Sequence, residues 1–138
     1  MRKPEQQLYD AMKRNAPSTA WLQRIENLLV EGMPDVHVSG PESECWVELK
    51  SVKRPKRIPT PLLGSQGLRP TQINWHLKAG TKIICSYILI RDDKNELFLI
   101  CGRLAASLNE MRLDEVRRHS LANTWDGIYK VLMSWEGE

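Results

Sequence analysis

Apolar and polar positions along the chain alternate with different periods in different places, and those periods predict its elements. From Glu5 to Arg14, Leu8, Tyr9 and Met12 recur at helical spacing among charged residues, which predicts a short amphipathic helix broken by Asn15-Ala16-Pro17. Trp21, Leu22, Ile25, Leu28 and Leu29 then repeat at three and four residues, with Ser18 or Thr19 available as a cap and Gly32 as a stop, so a second helix is expected. Asp35–Ser39 and Glu44–Val52 read as strands, and Gly40-Pro41-Glu42-Ser43 reads as the turn that folds them into a hairpin. Leu68-Arg69-Pro70-Thr71-Gln72 opens a helix that runs to Ala79 and stops at Gly80; Gln72, Trp75, His76 and Ala79 share one face, Ile73 and Leu77 another. Lys82–Ile90 and Leu97–Cys101 read as two more strands joined by Asp92-Asp93-Lys94-Asn95. After Gly102 the pattern is helical again, with Leu104, Leu108 and Met111 in one stripe and Leu113, Val116 and His119 in another, while Thr124–Trp135 fits no single element.

Composition narrows the picture without redirecting it. A chain of 138 residues with 41% hydrophobic and 27% charged residues suits one globular domain spanning 1–138. No apolar run approaches the roughly 20 residues a membrane helix needs, and Met1-Arg2-Lys3-Pro4-Glu5 lacks the apolar stretch of a signal peptide, so a cytoplasmic protein is expected, in the host cytoplasm if phage-encoded. Cys45, Cys85 and Cys101 lack Cys-x-x-Cys spacing, which favours reduced thiols over zinc or a disulfide framework. The net charge of +3 is too small to define a partner by itself, but its distribution is more informative.

The chemistry concentrates on the hairpin. Glu48 and Lys50 are two residues apart on one strand and therefore face the same way, and the hairpin brings Asp35 alongside them. A hard divalent cation takes carboxylate and carbonyl oxygen and keeps several of its waters, so Asp35, Glu48 and the main-chain carbonyl of Leu49 would form half of its cage. Mg2+ is the expected cation, with Mn2+ as a substitute, and no small-molecule cofactor is expected. His37 alternates onto the Asp35 face; a lone histidine there reads first as a surface or hydrogen-bonded side chain.

Pro34-Asp35 and Glu48-Leu49-Lys50, with the two acids thirteen residues apart and Arg24-Ile25-Glu26 and a glycine turn before them, resemble the signature of the PD-(D/E)xK nuclease superfamily. Together with Gln72 they look like the small VRR-Nuc nucleases and the Holliday junction resolvases of phages and archaea. The resemblance covers roughly Gln23 to Ser86. It implies a restriction-endonuclease-like αβββαβ core, an α/β fold with a mixed central sheet of about four strands flanked by helices. It also implies that Glu26, on a preceding helix, completes the metal shell and that Gln72 borders the active centre. Lys50 would then orient the attacking water and stabilise charge on the phosphate.

Lys53, Arg54, Lys56 and Arg57 follow the proposed catalytic strand with no acid among them, and Arg69 stands at a helix start. Such a run is commonly a solvated loop, but beside a phosphate-cleaving site it predicts contacts to a DNA backbone. The expected activity is that of a metal-dependent endonuclease on DNA, branched DNA such as a four-way junction above all, working as a homodimer. Nicking or nonspecific degradation of ordinary duplex DNA is the alternative within that class, and a noncatalytic DNA-binding or virion-associated protein is the alternative outside it. Trp125 and Trp135 read as core, as a dimer patch or as a base-stacking platform.

Overall fold

The computed structural model describes residues 3–25 and 31–134. Strand β3, Glu44–Val52, organises the molecule, because both of its faces are covered. Strands β1 (Trp21–Arg24) and β2 (Val36–Ser39) lie antiparallel on one side of it, in the order β1-β2-β3. On the other side β4 (Ser86–Asp92) runs parallel to β3, and β5 (Leu97–Cys101) antiparallel to β4. A parallel neighbour requires a crossover, and helix α2, Pro70–Ala79, is that connection. Helix α1 (Pro4–Arg14) precedes the sheet, and α3 (Ala105–Leu108), α4 (Leu113–His119) and α5 (Trp125–Met133) follow it. Elements α1 to β4 thus follow the order αβββαβ, with β5 added at the edge.

Strand parity divides the core in two. Val36, Val38, Cys45, Val47, Leu49, Leu89 and Leu99 point to the face covered by α1 and α5, where they meet Leu8, Met12, Ile128 and Leu132. The Tyr129 hydroxyl donates to the Met12 carbonyl at 2.6 Å and ties the two helices together. Val52, Ile88, Ile90, Phe98 and Ile100 point the other way, against Leu62, Leu63, Leu68, Leu108 and Val116. Trp46, Glu48 and Lys50 share the parity of Val52, so they open onto this second face.

The structure departs from the pattern-based expectation in several places. Trp21–Arg24 is a strand where a helix was expected. Trp21 and Gln23 are exposed while Leu22 and Arg24 are half-buried, a period of two that the three-and-four spacing of the apolar residues concealed. Pairing of Trp21 with Ser39 and Arg24 with Val36 outweighs local helix preference there. Among the described residues the sheet accordingly has five strands where about four were expected. Leu28, Leu29 and Glu26 lie outside the described residues. Strand β4 starts only at Ser86, leaving Ile83 fully exposed, and the indeterminate Thr124–Trp135 stretch contains α5. Trp125 is half-buried and packs beside Tyr129 at the margin of the first core; Trp135 lies outside the described residues.

Candidate active site

Asp35 sits at the mouth of β2, one residue before the ladder begins, and β2 has no residue opposite Glu48 or Leu49. The Asp35 carboxylate fills that place: its Oδ2 accepts the Leu49 N–H at 3.0 Å. In an extended strand a residue's N–H and C=O point to the same edge, so the Leu49 carbonyl faces the same gap as Asp35. Gly32 fixes the approach to this position. It has φ of 82°, and a side chain there would run into the Thr71 carbonyl of α2, so only glycine allows the Met33-Pro34-Asp35 segment to lie against that helix.

Glu48 is 2% exposed, beside Ile88 across the parallel ladder. Burial pushes its carboxyl up to about 10, and a carboxyl–carboxyl contact with Asp35 and that residue's charge push the same way, against a smaller opposing pull from Lys50. Gln72, also buried, donates from Nε2 to Glu48 Oε2 at 3.3 Å, while its Oε1 accepts the Arg69 N–H at 2.9 Å at the start of α2. The helix cap therefore sets the amide so that its NH2 faces the acid. Glu48 Oε1 is buried with no hydrogen-bond partner.

Two carboxylates in contact, one with an orphaned buried oxygen, next to an outward carbonyl, fit Mg2+. That cation is bound by one or two carboxylates plus water and phosphate and not by an all-protein cage. Among the described residues no group of three His, Cys, Asp or Glu is close enough to hold a metal by itself. Glu26, expected as a further ligand, lies outside the described residues.

Lys50 stands two residues from Glu48 on the same face, and its Nζ donates to the Gly67 carbonyl at 3.4 Å. That carbonyl is held by a residue that no pattern in the sequence singles out. Asn109 accepts the Leu68 N–H at 2.7 Å and donates to the Leu68 carbonyl at 2.8 Å, and a side chain on Gly67 would strike it. A side-chain clamp across 41 positions leaves no trace in local periodicity.

Of the basic residues, Lys53, Lys56, Arg57 and Arg69 are exposed. Arg54 departs from the expectation of a phosphate contact. Its guanidinium binds Asp92 Oδ2 at 2.8 Å through Nε and Glu96 Oε1 at 2.7 Å through Nη2, and its N–H donates to Asp93 at 2.9 Å. Asp92 is buried, so Arg54 anchors the basic loop to the β4–β5 turn. His37 lies on the site face, its ring 4.6 Å from that of Trp46 and its Nε2 3.7 Å from Glu44. A hollow of about 500 Å3 lies elsewhere, at the β5 edge between Glu96 and Asn123, and is lined by none of the expected site residues.

The order αβββαβ around a mixed sheet, with an acid at the mouth of β2 and Glu48 and Lys50 on β3, defines an α/β protein of the restriction-endonuclease-like fold. Among solved structures the chain is similar to Hjc, a Holliday junction resolvase from the archaeal hyperthermophile Archaeoglobus fulgidus, with 11% identity and a TM-score of 0.59 over 91% of this chain and 96% of that one. At that identity the likeness is one of fold. No protein-family model and no curated protein matches the sequence.

Proposed function

We propose that this chain is a Mg2+-dependent endonuclease that hydrolyses DNA phosphodiester bonds, with Mn2+ as an alternative cation and branched DNA as its preferred substrate. The observation that carries the reading is the buried Glu48, held against Asp35 with one oxygen unpartnered and Lys50 beside it on the same strand face. Two ionised carboxylates crowded in an apolar setting are unfavourable, which is why Glu48 holds its proton up to about 10; a cation between them would take the place of that proton. Asp35, Glu48 and the Leu49 carbonyl would hold the cation, with Glu26 as a further candidate. When bound, it supplies a Lewis acid for a phosphate oxygen and a more acidic water. Lys50, aimed by the Gly67 carbonyl, places its ammonium where charge grows on the phosphate, and Gln72 keeps Glu48 turned toward the gap. Lys53, Lys56, Arg57 and Arg69 would track the backbone on either side.

The resemblance of Pro34-Asp35 and Glu48-Leu49-Lys50 to PD-(D/E)xK nucleases, and the fold likeness to a protein named for the Holliday junction, support branched DNA as substrate and a role in recombination or repair, as in phage-type resolvases. A four-way junction presents two strands to be cut and each chain carries one Asp35/Glu48/Lys50 set, so the working unit in this reading is a homodimer.

The test is cleavage of duplex, flap and four-way junction DNA with and without Mg2+, for the wild type and for Asp35→Asn. Mg2+-dependent cleavage of the branched substrates, lost in the variant, is the expected result. Cleavage that Asp35→Asn leaves unchanged would remove the site assignment, and equal cleavage of all three DNAs would favour the duplex-nicking alternative. Binding without cleavage in either metal would make the chain a noncatalytic DNA binder. Sedimentation with and without the junction tests the dimer, and a monomer binding the junction one to one would exclude paired resolution.

A further inference from the structure

Trp46, two residues before Glu48 on β3, points to the same face as the acid, about 6.6 Å along the strand. Its ring meets Trp75 of α2 edge-on, with centroids 6.1 Å apart and planes at 68°, and tilts against His37 at 4.6 Å. Among the described residues neither tryptophan belongs to either hydrophobic core, and both are half-buried. Aromatic rings usually anchor a core, so a pair beside the carboxylates but outside both cores calls for another occupant.

We propose that Trp46 and Trp75, with His37 alongside, form a stacking subsite for one unpaired DNA base adjacent to the scissile phosphate. Two rings near a right angle make a wall and a floor, against which the π-face of any base packs without sequence preference. The offset of about 6.6 Å from Glu48 is short enough for a base displaced at a branch to reach the rings while a neighbouring phosphate of the same strand lies at the acids. Beyond the rings the surface turns acidic: Glu42 and Glu44 border a hollow of about 380 Å3 with Ile83 and Cys85. That end repels phosphate and accepts an uncharged ring, which marks the limit of the strand's path. The subsite rests on the nuclease reading and gives it a reason to prefer DNA with unstacked bases.

The experiment uses the full chain in Ca2+, titrated with a short oligothymidylate and with an abasic oligonucleotide of equal length, read by anisotropy and tryptophan fluorescence. Expected are quenching by the oligothymidylate only and about tenfold tighter binding than of the abasic strand. Trp75→Leu should erase that difference and Trp75→Phe keep most of it. Equal affinity of the wild-type protein for the two strands overturns the subsite, and this arm needs no variant to fold. Cleavage is scored separately in Mg2+. Equal binding of both strands together with Asp35-dependent cleavage removes the subsite and leaves the nuclease. Base-dependent binding without Mg2+-dependent cleavage supports the subsite and removes the nuclease.

Discussion

Gln72 donates to Glu48 from the first turn of a helix that the same glutamine caps through the Arg69 N–H. One side chain thereby couples helix start and buried acid. Gln72→Met, which keeps the bulk and removes both polar ends, leaves the Arg69 N–H and Glu48 Oε2 unpaired. Urea unfolding should show a loss of about 1–3 kcal/mol, and the Mg2+-dependent cleavage rate should fall with it.

Mg2+ should raise the melting temperature of the wild-type protein, since a ligand that binds only the folded state stabilises it. Glu48→Gln removes one of the two crowded carboxylates, so it should abolish both the Mg2+-induced rise and cleavage, while binding to DNA in Ca2+ persists. A rise equal to that of the wild type would show the cation bound elsewhere.

Lys50→Met should fold normally and keep its affinity for Mg2+, because in the proposed role the ammonium acts on water and phosphate and not on the cation. Its single-turnover rate should drop about a hundredfold or more. Calorimetry that finds lost metal affinity in this variant would contradict the role.

The basic loop separates into two kinds of residue, and salt dependence distinguishes them. Replacing Lys53, Lys56 and Arg57 together with glutamine should weaken binding to every DNA and reduce the slope of log K against log salt by up to about 0.9 per lost contact. Arg54→Gln should instead cost about 3 kcal/mol of stability, since it removes the charge paired with the buried Asp92 carboxylate, whose Oδ2 Arg54 binds.

His76 gives a pH signature. It is fully buried with Nδ1 2.9 Å from Ser86 Oγ, and burial lowers its pKa from 6.5 to about 4. The folded protein keeps the ring neutral while the unfolded chain takes up the proton near 6.5, so this contribution is complete above 6.5 and is lost as pH falls toward 4. The wild type should lose about 3 kcal/mol more than His76→Gln across that window, measured by urea unfolding.

Much of this was legible because it is local. The Glu48/Lys50 face, the Asp35 hairpin and the Pro70–Ala79 helix follow from period and turn residues, and β3, α2 and β5 appear where the pattern put them. Strand β1 was not legible, since Trp21, Leu22 and Ile25 satisfy a helical spacing and only pairing with β2 reveals the alternation. Arg54 misled for a related reason: a run of like charge on the chain says nothing about Asp92 and Glu96 some forty residues away. Asn109 and the Trp46/Trp75 pair depend on tertiary approach between distant segments, which no short window of sequence records.

In the proposed mechanism the Asn109 clamp gives the motif-free end of the chain a share in the chemistry. A protein ended after β5 would retain Asp35, Glu48, Lys50 and Gln72 of the proposed centre. It would also lose the tether on Leu68, and with it the fixed carbonyl at Gly67 that aims the lysine. Such a fragment would carry all the reagents and lack the jig that holds one of them in line.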